Sequence, residues 1–247
     1  MRPGFIGSFQ PSRIANPSTP PPPGSPVFWF DGNDIDGVDN STLVVDDNVS
    51  SWVSKGSDTT PATLPGGFAP AKYFVSASGH KALRDNVSAL RVATGALPQP
   101  YMIAVVHFSS SDDGIFMAPA GSFTAGNAPR IMIKHTGFGN RWVMAADATE
   151  ILAPIGSRSV TQIQVASALF NGASSILGVD HIADTAGSTG ATGGTGVTLF
   201  GAGTTFSPNG AAAKLYQVLV YPDGAVTHAQ IVAWAELVYG GTAPFTP

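Results

Sequence analysis

KLYQVLVYPDGAVTHAQIVAWAELVYGG, residues 214–241, is the stretch that decides the fold. Its first part, 214–221, combines Leu215, Val218, Leu219 and Val220 with two tyrosines, a composition that suits a buried strand. A short loop follows. Thr227 is a good N-cap, and from His228 onward Ile231, Trp234, Ala235 and Val238 recur on one face of a 3.6-residue period. Gly240 and Gly241 stop the helix, because glycine accepts the left-handed backbone of a C-terminal cap. The spacing therefore predicts one strand, then one helix over 228–239 that lays its apolar face on the sheet.

Outward from this stretch, strand-like runs recur at 27–30, 43–45, 51–53, 71–75, 89–92, 101–108, 115–117, 130–135, 141–145, 160–170, 175–182 and 197–200. The run 101–108 is continuous and reads as fully buried. Gly137, Phe138 and Gly139 mark a hairpin tip, Asn171 and Gly172 another turn, and 61–70 a proline-rich crossing. Residues 187–196 are Gly, Thr, Ser and Ala without lysine, so they read as a loop and not as a phosphate-binding Walker motif. About a dozen short strands with turns between them predict an all-β fold, a two-sheet sandwich with one short C-terminal helix.

Composition agrees. Only 11% of residues are charged, while 29 Gly and 20 Pro supply many turns. The net charge is −4 with 12 Lys and Arg, so counterion release offers nucleic acid little and none is expected as a partner. There is no cysteine, so packing alone must stabilise the fold. Neither a signal-peptide core nor a membrane-spanning run is visible, which predicts synthesis in a cytoplasm without membrane insertion.

Residues 1–26 differ from the rest. They are rich in Pro, Ser, Asn and Gly and end in Pro20–Pro23, so they predict an extended, semi-rigid arm ahead of a domain over 27–247. Phe5, Ile6, Phe9 and Ile14 are spaced along this arm as groove-docking residues would be. A disordered tail is the competing reading of such composition.

The order of landmarks resembles the concanavalin A-like, laminin-G-like jelly-roll family found in bacterial and phage surface proteins. The residues that carry the resemblance are Phe28, Trp29, Phe30 and Asp31; then Val49, Ser50, Trp52 and Lys55; then Ala82, Leu83 and Arg84; then 103–107; and finally LYQVLVY with its trailing helix. Gln217 departs from the pattern, since many relatives carry Glu there, and the Phe-Asp-Gly that usually follows the Ala82–Arg84 segment is shortened to Asp85 and Asn86. The resemblance implies a jelly roll. It also implies that a hydrolase on this fold would carry Glu and Asp alternating on one strand, because two carboxyls must flank a glycosidic bond. That motif is absent: the only glutamates are Glu150 and Glu236.

Other chemistry is sparse. Asp31, Asn33, Asp34, Asp36 and Asp39 offer the oxygen donors a Ca²⁺ takes, though without EF-hand spacing, and a solvated turn-forming loop is the favoured reading. No other cofactor is expected. His80, His107, His135, His181 and His228 lack zinc-ligand spacing. Trp29, Trp52 and Trp234 read as core. Phe138, between two glycines at a hairpin tip, with Asn140 and Arg141 beside it, is the candidate contact for glycan or a partner chain. Together these features predict a non-catalytic, homo-oligomeric virion component, a head decoration, head fibre or tail fibre. Its arm would meet other virion proteins and its sandwich host-surface polysaccharide. A cellular carbohydrate-binding module and a glycoside hydrolase or lyase are the alternatives.

Overall fold

In the computed structural model, which describes residues 19–84, 89–109, 115–118, 129–134, 139–146, 149–190, 193–200 and 213–247, the strand read from 214–221 lies in the middle of a sheet. In chain order the strands are β1 (Phe28–Asp31), β2 (Asn48–Val49), β3 (Ser51–Trp52), β4 (Ala62–Thr63), β5 (Ala71–Val75), β6 (Lys81–Arg84), β7 (Leu90–Leu97), β8 (Tyr101–Ser109) and β9 (Ile115–Ala118). They continue as β10 (Arg130–Lys134), β11 (Arg141–Ala146), β12 (Thr149–Leu152), β13 (Gln164–Phe170), β14 (Ser175–Val179), β15 (Ile182–Gly187), β16 (Gly194–Leu199) and β17 (Ala213–Tyr221), before helix α1 (His228–Tyr239). One sheet runs β15-β14-β13-β8-β17-β6-β5-β2, with β1 also paired to β17; the other runs β12-β11-β10-β9-β16-β7-β4-β3. The described pairings are antiparallel. The architecture is an all-β, jelly-roll-like sandwich, with one α-helix among the described residues.

The β17 sheet is covered on both faces, which is why its central strands read as unbroken apolar runs. Leu215, Val218 and Val220 point into the core between the sheets, with Phe30, Trp52, Leu83, Val105 and Trp142. Tyr216, Leu219 and Tyr221 point the other way, into a second layer with Trp29, Ile231, Trp234 and Tyr239 beneath α1. The register of β17 against β8 shifts between Leu215 and Gln217, a bulge that sets Gln217 on the helix side. The indole of Trp234 meets that of Trp29 edge-on, with ring centroids 6.4 Å apart.

The helix keeps the bounds that capping predicts. Thr227 accepts a bond from the Gln230 N–H while the Gln230 side chain accepts from the Thr227 N–H, a capping box that contributes about 1 kcal/mol. Gly240 closes the far end at φ +67°.

Several boundaries differ from the sequence expectation. Residues 43–45 form no strand: the Asp47 carboxylate accepts the Val44 N–H at 2.7 Å and makes a turn, and the strand follows at β2. Residues 175–182 split at Asp180 into β14 and β15, because Asp180 takes φ +46°. The predicted loop 187–196 is shorter, since β16 begins at Gly194. β12 and β15 have no counterpart in the sequence reading; both are exposed along most of their length and lack a buried apolar run.

Candidate functional site

The acidic loop after β1 is built around a buried carboxylate. Asp31 lies opposite Gln217 in register and faces the helix layer, fully buried. Its Oδ1 accepts from the Asn33 N–H at 2.9 Å and from Gln217 Nε2 at 2.6 Å, and Gln217 Oε1 accepts in turn from Trp29 Nε1 at 2.9 Å. Lys55 Nζ sits 3.2 Å from Asp31 Oδ2 and 3.4 Å from Asp34 Oδ2, and 4.8 Å over the Trp29 ring. An ammonium group thus stands between the two carboxylates. Asp36 serves the turn: burial pushes its carboxyl up, but hydrogen bonds from Thr42, Val38 and Asn40 outweigh this and hold it below its ordinary value. Asp39 is exposed, and its N–H donates to Asp34 Oδ1 at 2.9 Å. Among the described residues no group of three or more His, Asp or Glu is arranged to hold a metal ion.

A second polar group lies at the β13 end. Gln164 Oε1 accepts from Trp142 Nε1 at 3.2 Å and from the Ser159 N–H at 2.6 Å, while Nε2 donates to Ser157 O and Asp180 Oδ2, each at 2.8 Å. All four hydrogen-bonding positions of this buried amide are used. Burial pushes the Asp180 carboxyl up. His107, opposite Gln164, has its imidazole held well below the usual range by burial and by the charges of Arg158 and Lys214. His228, the first residue of α1, has Nδ1 2.9 Å from Ser167 Oγ and Nε2 2.8 Å from Asp180 O; burial lowers its pKa. Ser167 and His228 are both buried beneath the helix, so the pair fastens α1 to the sheet.

Of the predicted contact tip, Phe138 lies outside the described residues, as do Phe5, Ile6, Phe9 and Ile14 of the arm. Asn140 is exposed at φ +47°, and Arg141, half-buried, opens β11 opposite Lys134. This limb is pinned to the loop after β12: the Gly156 N–H donates to Gly139 O at 3.0 Å and the Arg158 N–H to Asn140 O at 3.2 Å. Ile155, 73% exposed, lies against Gly139. The end of the arm is fastened to the domain, since Trp234 Nε1 donates to Pro20 O at 2.9 Å and Asn33 Nδ2 to Thr19 Oγ1 at 3.0 Å.

Two clefts flank α1. One, about 300 Å³, lies between the helix and the β14–β15 turn, where His181 Nε2 is 2.7 Å from Glu236 Oε1. The other, about 440 Å³, lies between the β5–β6 turn and the chain after the helix, walled by His80, Tyr239 and Phe245.

No protein-family model and no curated protein matches the chain. Solved structures match its fold. Domain 4 of AbnA, a GH43 extracellular arabinanase from Geobacillus stearothermophilus in complex with arabinotriose, superposes with a TM-score of 0.57 at 12% identity, over 85% of this chain and 98% of that domain. A mutant GH54 α-L-arabinofuranosidase soaked with 4-nitrophenyl α-L-arabinofuranoside gives 0.59 at 11% identity, over 87% of this chain and 59% of that one. Trypanosoma rangeli sialidase in complex with 2,3-difluorosialic acid gives 0.58 at 11% identity, over 92% of this chain and 36% of that one.

Proposed function

We propose that the protein is a non-catalytic module of a virus particle, held by its N-terminal arm and touching host-surface polysaccharide with its sandwich. The observation that carries the carbohydrate half is the shared fold with a domain solved with arabinotriose, matched over 98% of that domain's length. Non-catalysis is supported by the use made of the carboxylates. A glycosidase needs two carboxyls about 5–9.5 Å apart around one bond, free to exchange protons. Here Asp31 is bonded to Gln217 and Lys55, Asp180 to Gln164 and the Val165 N–H, and Glu236 to His181.

Attachment to a particle is supported by the arm, whose end at Thr19 and Pro20 is bonded to the domain, so that 1–18 start from a fixed point. Co-sedimentation tests this. The full chain is expected to pellet with phage particles and the chain 19–247 to stay in the supernatant; equal pelleting overturns the anchoring role. The second reading, a sugar-binding module of a cellular enzyme, draws on the same match, because domain 4 belongs to a larger arabinanase. Pelleting with insoluble polysaccharide but never with particles favours it.

A further inference from the structure

Three cations stand side by side on the outer face of the β17 sheet. Lys72 on β5 is directly opposite Arg84 on β6, and Arg84 is directly opposite Lys214 on β17. Their sequence neighbours Ala71, Tyr73, Leu83 and Leu215 point into the inter-sheet core, so the three charges share the other face. Like charges directly opposite each other in a sheet cost stability. The chain is acidic overall and has only 12 Lys and Arg, so a surplus of cations does not explain placing three in one row.

The row is only partly compensated. Asp46 Oδ1 meets Arg84 Nη2 at 2.5 Å, and Asp46 O accepts from Lys72 Nζ at 3.1 Å. Lys214 has no carboxylate partner among the described residues. Its ammonium lies between two phenyl rings, 4.3 Å from the Phe74 centroid and 4.4 Å from that of Phe108. The rings fix the ammonium in place but carry no net charge, so its charge is held in position and left available. Burial first, and then the neighbouring Arg84 charge, lower the Lys214 pKa.

We propose that the Lys72–Arg84–Lys214 row binds acidic polysaccharide, whose carboxylate or sulfate groups supply the missing anions. With strands about 4.8 Å apart, the row runs about 10 Å across the sheet, which suits an anion repeated along a chain better than one small ion. Nucleic acid fits less well, because its affinity comes from about 6–10 phosphate contacts and this acidic chain offers three adjacent cations. The inference rests on the carbohydrate reading above and narrows it to acidic glycans.

The test is titration of the full chain, Lys214→Met and Asp46→Asn with polygalacturonate, dextran sulfate, neutral arabinan and single-stranded DNA. Wild type is expected to bind one or both acidic polymers, more weakly as salt rises. Lys214→Met should bind at least about fivefold more weakly, the loss of one fixed charge contact. Asp46→Asn, which tolerates the φ of +73° at this position, should bind roughly two- to fivefold more tightly because it frees Arg84. This gain also keeps the test decisive should Lys214→Met fold poorly. Unchanged affinity in both variants, or tighter binding to DNA than to either acidic polymer, overturns the proposal. Binding to arabinan alone overturns it while leaving the carbohydrate reading intact; binding to no glycan overturns both.

Discussion

Replacing Gly178 by Ala puts a methyl group where the His228 imidazole already lies. A Cβ at this position meets ring Cγ, with Cδ2 at 2.5 Å and Nδ1 at 2.7 Å. The ring is fixed by Ser167 Oγ on one side and Asp180 O on the other, and it opens α1, so it has no rotamer to retreat to without losing both bonds. Overpacking costs about 1–3 kcal/mol and each of the two lost hydrogen bonds about 0.5–1.5, together roughly 2–6 kcal/mol. For a domain of this size, at about 2–4 °C per kcal/mol, that lowers Tm by roughly 4–24 °C. Urea and thermal denaturation measure it, with His228→Ala as the second arm of a double-mutant cycle. His228→Ala alone should cost about 1–3 kcal/mol, and adding Gly178→Ala to it less than about 1, because the space is then empty. Wild-type melting of Gly178→Ala, or an equal loss in both backgrounds, refutes the packing of α1 through His228.

Acid should destabilise the fold early. Burial holds His107, His228 and His80 below the ordinary 6.5, so below that pH the unfolded chain takes up protons that the folded rings refuse, and stability falls by up to about 1.4 kcal/mol per pH unit for each ring. Asp180, raised by burial, acts oppositely: its contribution is present below 3.8 and is lost as pH rises through its folded value. A flat urea midpoint between pH 7 and 5 contradicts the histidine account. Gln217→Glu sets a second carboxylate against buried Asp31 and should cost about 3–5 kcal/mol at pH 7, partly recovered in acid as one carboxyl keeps its proton; an unchanged midpoint refutes it. Deleting 1–26 removes the Trp234 acceptor that deleting 1–18 keeps, and should cost about 1–3 kcal/mol more than the shorter truncation; equal melts of the two truncations contradict this.

What the sequence made legible was local. The N-cap at Thr227, the apolar run of β17 and the short strands with turns between them are properties of neighbouring residues, and the helix bounds and the sandwich followed from them. Asp31 and Gln217 lie 186 positions apart. Their pairing depends on β1 docking beside β17 and on the bulge before Gln217, neither of which has a local signature. Asp31 therefore read as one oxygen of an acidic loop, although its place is a buried bond network. The cation row was hidden for the same reason: Lys72, Arg84 and Lys214 belong to three separate strands, register alone brings them together, and the net charge of −4 points away from any basic surface. The Gly137–Arg141 tip could be read as a turn, but not that Gly139 and Asn140 are tied to the loop at 153–158.

The most direct test of the central claim is to incubate the full chain with a panel of plant and bacterial polysaccharides, measuring binding by calorimetry and released reducing ends in the same samples. The account predicts binding to at least one polymer with no reducing ends released. Release that a single Asp substitution abolishes would contradict it.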